Sequence, residues 1–600
     1  METPLTRKDA LKLGAAASVA FSATGLLPRA AKAAPVGAGS KPSILLIVVD
    51  DMPDRLLEVM EKVQTRIMAQ GTRFLNAYTA MPLCGPNRAA ILSGMFPHTT
   101  NVFTNSAWQA FSSGGHEAFT FVKALHDAGY ETALFGKYMN GRGGALSIPP
   151  GWDRWFELPG SSTQTSAGYD VNDQGTNVHY PISKNDSELA YEKALPWIKS
   201  RTPSTKPFFI QYSPTDPHTP YTPIAAHAHD YDNQPPRNVP SVNEADMSDK
   251  PAIMRNKGLV SVSQLSNIEE GMREELEDED DFINGLLDAV EAVTGNQNLL
   301  VIFTSDNGVQ SGEHRVIQKS WPYQESIEIP LIFRGTGLPA QQSTQLVSSV
   351  DISSTILEFA GAAPPRAFDG RSLHDIVLGT QPASWRKRVL IEDPKDRSWE
   401  MYREFQPDAG KDFAFIRRLN DPTPEFYDLT VDEYELASKP SMVTQDMRSK
   451  LDRLTSLTGA NLRAVEEEAS TTQGGGDTTA PTVMSTVPTA GATGVARSTN
   501  LTATFSEKMD PASITKSTFK LFKVTSSGTT QVTNVTVALS TDGLTATLNP
   551  FGTSTTQLAR GTKYKGVITT GAKDAAGNQL DQDPNTAGLQ QKTWTFTVSP

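Results

Sequence analysis

Ser43-Ile-Leu-Leu-Ile-Val-Val-Asp-Asp51 is the stretch that decides the fold. It is an unbroken apolar run, rich in β-branched residues, closed by two carboxylates. A strand with no polar face is what a central parallel strand covered on both sides requires. Carboxylates at its carboxyl end lie where open α/β sheets hold ligands. The same pattern recurs outward along the chain. Residues 130–135 form a second run and end in Gly136-Lys137. Residues 206–212 lead to Asp216-Pro-His218, and residues 298–303 end in Thr304-Ser-Asp-Asn-Gly308. Residues 329–333 make a fifth run. Between them, helical periodicity is read over 56–69 and 118–128, and an acidic helix over 276–293. Strands alternating with helices predict an α/β fold: a mostly parallel central sheet flanked by helices, with the site at one edge.

A chain of 600 residues exceeds a single core, so several domains are expected. The α/β domain is assigned to 41–374, and a small α+β subdomain, with runs at 413–418 and 425–429, to 375–465. The texture then changes. Ser470-Thr-Thr-Gln-Gly-Gly-Gly lies in a flexible linker, 466–479. In 480–600, Thr, Val, Ser and Gly dominate. Leu501-Thr-Ala-Thr-Phe505 alternates at period two, and Ser540-Thr-Asp-Gly543 separates two short runs as a hairpin does. This all-β sandwich resembles the bacterial Ig-like modules of surface and secreted proteins, which implies a spacer or a contact to cell wall or glycan.

The net charge of −13 excludes a general nucleic-acid or anionic-membrane binder. Residues 1–33 read as an export signal: Thr6-Arg-Lys8 resembles a twin-arginine motif with Lys8 in the second position, a weakly apolar run follows, and Ala31-Lys-Ala33 offers a cleavage site. An ordinary secretory signal is the alternative. Either makes the protein secreted, cell-surface or periplasmic; the twin-arginine form implies export in the folded state. No later stretch reads as an integral membrane segment.

Pro82-Leu-Cys-Gly-Pro-Asn-Arg-Ala-Ala-Ile-Leu-Ser-Gly94 holds Cys84, the single cysteine. It reads as a turn opening into a helix that presents Cys84 at its N-terminus, where backbone N–H groups favour an anion. A lone cysteine can equally be a small buried hydrophobe. Asp50-Asp51 and Asp306-Asn307 are hard oxygen donors that suit Ca²⁺ or Mg²⁺ rather than a thiolate metal; each pair alone could be only a turn or a helix cap.

Cys84, Pro86 and Arg88, with the strand-end motifs in order, resemble the site at which type I sulfatases, of the alkaline phosphatase superfamily, convert Cys to formylglycine. The resemblance covers roughly 41–465. Gly136-Lys-Tyr-Met-Asn140, Pro149-Pro-Gly-Trp-Asp153 and 243–251 look like the N-acetylglucosamine-6-sulfatase and heparan-type branch. It implies an exported sulfatase acting on sulfated sugars, matured by a formylglycine-generating enzyme. It implies one Ca²⁺, or Mg²⁺, held by Asp50, Asp51, residue 84, Asp306 and Asn307. Lys137 and Lys319 would contact sulfate oxygens, Arg88 would add charge, and His218 would act as general acid on the bridging oxygen. His314 is a further pocket candidate. Asn87 stands where the family usually has Ser, and Met139 where many arylsulfatases have a second histidine. The rivals are a phosphatase or phosphonate monoester hydrolase of the same superfamily, and a non-catalytic surface adhesin.

Overall fold

The structure, a computed structural model, describes residue 36 and residues 41–600 apart from 159–167, 202–205, 394–397, 469–479, 541, 553–556, 576, 584–585 and 587. The export signal and most of the linker lie outside the described residues. The chain forms two compact units, one of residues to 443 with 454–468, the other of 444–453 with 469–600.

The larger unit is built on a ten-stranded sheet: β1 (Ser43–Val49), β2 (Thr72–Tyr78), β3 (Glu131–Lys137), β4 (Arg154–Leu158), β5 (Tyr169–Asp173), β6 (Thr176–Tyr180), β7 (Phe208–Ser213), β8 (Leu299–Ser305), β9 (Leu331–Gly335) and β10 (Gln341–Ser348). Their order is β10-β2-β9-β8-β1-β7-β3-β4-β5-β6. β1 sits near the middle, parallel to β7 on one side and β8 on the other. Its alternate residues go to two separate cores. Ile44, Leu46 and Val48 join one, and Leu45, Ile47 and Val49 the other. That division is why the run has no polar face. β9 departs from the parallel pattern and pairs antiparallel with both β8 and β2.

Four helices matter for the site: α1 (Cys84–Ser93), α2 (Asp186–Lys199), α3 (Val262–Thr294) and α4 (Asp351–Phe359). α1 and α4 pack in the first core, α2 and α3 in the second. α3 is much longer than the acidic segment read from sequence. Its 33 residues start at a capping box formed by Ser261 and Gln264 and stop at Gly295 in the left-handed region. Residues 56–69 are not one helix. They break into Asp54–Val59, Glu61–Arg66 and Met68–Gln70. The cause is tertiary: Asp280 of α3 accepts the N–H groups of Lys62 and Val63 at 2.7 and 2.8 Å, which starts a new helix there.

A second, antiparallel sheet in the same unit joins β11 (Arg388–Asp393), β12 (Trp399–Gln406), β13 (Lys411–Arg418) and β14 (Glu425–Asp428) in chain order. The smaller unit holds two four-stranded sheets, built from β15 (Val483–Val487), β16 (Leu501–Phe505), β17 (Phe519–Thr525), β18 (Gly528–Val532), β19 (Thr536–Leu539), β20 (Thr545–Asn549), β21 (Lys563–Ile568) and β22 (Lys592–Thr597). Leu501, Phe505, Phe519, Leu548, Trp594 and Phe596 fill the space between them, as in an Ig-like sandwich.

Candidate active site

The carboxyl ends of β1, β3, β7 and β8 converge on the N-terminus of α1. β1 delivers Asp50 and Asp51, β3 ends at Lys137, β7 leads to His218, and β8 leads to Asp306 and Asn307. Cys84 is the first residue of α1, all ten residues of which are buried. Its Sγ lies 3.4 Å from Asp50 Oδ1, 3.7 Å from Asp51 Oδ1 and 2.8 Å from the Nζ of Lys319.

Three cations answer three carboxylates. Lys137 Nζ donates to Asp50. Lys319 Nζ donates to both oxygens of Asp51 at 2.6 and 2.8 Å. Arg88 Nε donates to Asp306 Oδ2 at 2.7 Å, and its Nη1 to the Lys137 carbonyl at 3.0 Å. Asp51, at φ 66°, gives its N–H to Asp306 Oδ1 and accepts from Asn307 Nδ2 at 2.6 Å. His218 Nε2 is 3.6 Å from Asp51 Oδ2, and its half-buried ring is braced by an Nδ1 contact to the Thr219 carbonyl.

The field inside this cluster decides protonation. Burial opposes the charged form of Asp50, but Lys137 and Arg88 outweigh it and hold the carboxyl well below its usual range. Asp51 is lowered in the same way, against burial, by Lys319 and His218. Asp306 goes the other way, raised by burial and by the charge of Asp50 despite Arg88. Burial, then Asp50, pushes the Cys84 thiol far up. Burial and the neighbouring carboxylate thus disfavour the thiolate, the nucleophilic form of a cysteine.

The donors fit a hard divalent ion. Asp50, Asp51 and Asp306 supply carboxylate oxygens, and Asn307 Oδ1 is a buried carbonyl oxygen with no hydrogen-bond partner. An oxygen left bare in this way, on a side chain whose Nδ2 already meets Asp51, is what an oxygen-ligated cation needs.

Of the residues read from sequence, Asp50, Asp51, Cys84, Arg88, Lys137, His218, Asp306, Asn307 and Lys319 meet here. His314 does not join them. It is fully buried, with Nδ1 2.6 Å from Glu244 Oε2 and its ring 4.2 Å from that of Tyr323. Burial, then Lys250, lowers its pKa to about 3, so it is a neutral packed imidazole. Met139 turns into the first core. Asn140 lies close to Gly85, with its Oδ1 buried and without a partner.

Asn87 is a tie. Its Oδ1 accepts from the Ala80 N–H at 3.0 Å and the Ser349 hydroxyl at 2.6 Å, while Nδ2 donates to the Asp306 carbonyl. A serine would have to make all three from a single oxygen on a shorter side chain. Two neighbours were not anticipated. Asn105 Oδ1 accepts the Gly85 N–H at 3.1 Å, and Ser213 Oγ lies 3.4 Å from Arg88 Nη1. Ser213 could have been found, since it closes the strand before Pro214-Thr-Asp-Pro-His218. Asn105 sits in a loop with no marker.

The sulfatase family profile matches residues 42–362, the N-sulphoglucosamine sulphohydrolase C-terminal profile matches 312–456, and the bacterial Ig-like domain profile matches 477–598. Among curated relatives, the extracellular sulfatase SULF-1 homologue of Drosophila melanogaster is 29% identical over 371 residues, 59% of this chain and 33% of that protein. The Caenorhabditis elegans counterpart is covered over 56% of its length, so the chain spans about half or less of these two relatives. The N-acetylglucosamine-6-O-sulfatase of Bacteroides thetaiotaomicron is 27% identical over 472 residues, 66% of this chain and 82% of the relative. Two solved structures share the fold. One, in complex with its substrate D-glucosamine-2-N,6-O-disulfate, has a TM-score of 0.53 at 24% identity and covers 66% of this chain and 93% of its own. The other, the phosphonate monoester hydrolase of Agrobacterium radiobacter, has a TM-score of 0.53 at 18% identity and covers 67% of this chain and 92% of its own. With the sulfatase profile spanning more than half of the chain, over the strand ends and loops that carry Asp50, Cys84, Lys137, His218, Asp306 and Lys319, the chain belongs to the sulfatase family.

Proposed function

We propose that this protein is an exported sulfatase that removes sulfate from amino-sugar residues of glycosaminoglycan-type glycans, with Cys84 matured to formylglycine by a dedicated generating enzyme. The observation that carries the proposal is the gathering of three cations, Arg88, Lys137 and Lys319, and of the Asp50, Asp51 and Asp306 carboxylates at the N-terminus of α1, where the sulfur of Cys84 is buried. The names of the relatives, N-acetylglucosamine-6-O-sulfatase among them, support the sugar class.

Asp50, Asp51, Asp306 and Asn307 would hold one divalent ion, Ca²⁺ in preference to Mg²⁺ because four protein donors form a dedicated cage, whereas Mg²⁺ keeps several waters and usually takes only one or two carboxylates. Formylglycine would supply a hydrated aldehyde as nucleophile, and the ion a Lewis acid for the sulfate oxygens. The rest is the work of this chain's own side chains. Lys137, Lys319 and Arg88 neutralise the sulfate and the charge that grows on it in a site shielded from water. His218, the most exposed side chain of the cluster at 19%, hands a proton to the departing sugar oxygen. Two lysines and a single divalent ion suit a monoanionic sulfate ester better than a dianionic phosphate, which would favour a second metal. The Ig-like unit would serve as a spacer or as a contact to glycan or cell wall.

The test is peptide mass spectrometry of residues 82–94 from protein made in its own host, combined with turnover of an aryl sulfate and an aryl phosphate. A mass loss matching thiol-to-aldehyde conversion is expected, with sulfate preferred. Cys84→Ala should abolish turnover and leave the circular dichroism unchanged. Full activity in that variant would sink the proposal.

A further inference from the structure

A second group of metal-type donors lies outside the active site, on the segment that follows His218. His227 Nδ1 lies 2.8 Å from Asp230 Oδ2 and 3.1 Å from Glu277 Oε2. The Asp230 and Glu277 carboxyls are themselves within hydrogen-bonding reach of each other. One ligand atom from each of the three residues fits within 4.8 Å of the other two. On the opposite edge of the ring, His227 Nε2 is 3.3 Å from Asp281 Oδ2. The Tyr231 hydroxyl donates to the other Glu277 oxygen at 2.8 Å. Glu277 and Asp281 both belong to α3; His227 and Asp230 belong to the loop packed on it.

The arrangement has the two layers of a metal site. A ligating imidazole gives its second N–H to a carboxylate, which fixes the tautomer and aims the other nitrogen's lone pair at the metal. In a metal-bound form Asp281 would take that place and leave the Nδ1 lone pair to the metal; without one, Nδ1 lies at hydrogen-bond distance from Asp230. Nδ1, Asp230 and Glu277 then bring three acceptors together, and three acceptors cannot satisfy one another without a cation or a proton among them. Zinc bonds of about 2.0–2.1 Å in a tetrahedron put neighbouring ligand atoms about 3.3 Å apart. The separations of 2.8 and 3.1 Å are close to that edge. One nitrogen and two carboxylates leave the fourth position to water, and an imidazole selects zinc-type ions over calcium.

We propose that His227, Asp230 and Glu277 form a binding site for a zinc-type divalent cation, oriented by Asp281 and Tyr231, which staples the loop after His218 to α3. The site is separate from the oxygen donors around Cys84 and takes a different class of metal.

The experiment uses the untagged full chain, stripped of metal and then held in excess Ca²⁺ so that the oxygen-rich site is filled. Zn²⁺ is titrated by calorimetry, and Co²⁺ by its visible absorption, which is intense in tetrahedral nitrogen–oxygen fields. The starting chain carries Cys84→Ala so that no thiol competes. One Zn²⁺ per chain is expected, with affinity falling at least about tenfold in His227→Gln and in Glu277→Gln. His374→Gln, in an exposed His–carboxylate group elsewhere, should leave binding unchanged and serves as the control. Circular dichroism checks that each variant is folded. Absence of Zn²⁺ binding in the Ca²⁺-saturated chain, or the same stoichiometry and affinity in both His227→Gln and Glu277→Gln, overturns the proposal and leaves His227 as a protonated partner of its carboxylates.

Discussion

Replacing Arg88 by Met removes a buried charge at nearly constant side-chain length. The guanidinium is 2% exposed. It gives Nε to Asp306 at 2.7 Å, Nη1 to the Lys137 carbonyl at 3.0 Å, and holds Nη2 3.7 Å from Asp50. Lys137 remains on Asp50 in the variant, so that carboxylate keeps a cation. Asp306 does not; its other contact is the Asp51 N–H. Breaking a buried pair by removing one partner costs about 3–5 kcal/mol, and the loss here should sit near the middle, about 4 kcal/mol. Arg88→Lys keeps the charge but loses the fork, and should cost about 1–2 kcal/mol. Urea unfolding of the chelated protein, followed by tryptophan fluorescence over the transition of the larger unit, measures both. Combining Arg88→Met with Asp306→Asn should recover part of the loss, because the stranded charge is gone, giving a coupling above about 1 kcal/mol. Arg88→Met within about 0.5 kcal/mol of the parent, or a cycle with no coupling, would refute the account of the cluster as a charge-balanced core.

The acidic face of α3 predicts a pH dependence. Burial, then the charge of Asp216, raises Glu279 and Glu275 well above their ordinary values, and burial raises Asp278 to about 7. Groups raised on folding stabilise fully below their unfolded pKa and lose that contribution as pH rises through the folded value. The larger unit should therefore weaken from about pH 4 to beyond neutrality; urea midpoints across that range check it, and Glu279→Gln should flatten the slope. Gly136 sits at φ 119°, and a Cβ there would lie 1.9 Å from the Ser213 carbonyl oxygen. Gly136→Ala should cost at least about 2 kcal/mol and displace Lys137; a variant with parental stability and activity would show that β3 and β7 can part at that point.

Much of this site could be read before the structure because its strands announce themselves. β1, β3, β7 and β8 are apolar on both faces, and each hands a polar group to the same edge. β2 and β10 did not show, because Thr72-Arg-Phe-Leu-Asn-Ala-Tyr78 and Gln341-Gln-Ser-Thr344 mix polar residues into strands farther from the centre, where burial is incomplete. β4 to β6 lie at the other margin, where Arg154, Asp170 and Asn177 reach solvent. The direction of β9 was out of reach as well, since Leu331-Ile-Phe333 packs equally well in either sense. His314 is a pocket candidate by its position in Gly312-Glu-His-Arg315; its Nδ1 instead meets Glu244, 70 residues away. The broken helix near Met60 likewise depended on a distant partner, Asp280.

The burial of Cys84 sets an order of events. With 1% of its surface exposed, beneath Lys319 and between two aspartates, it offers no approach to a second macromolecule. An enzyme that acts on this residue must meet 82–94 as open chain, before β1 and β8 close around α1. The maturation proposed for Cys84 would then race folding along one polypeptide. A chain that folds quickly, or whose sheet is made more stable, would lock its thiol away unmodified. The fraction of competent molecules would be fixed at birth by two rates, and no later exposure to the modifying enzyme would raise it.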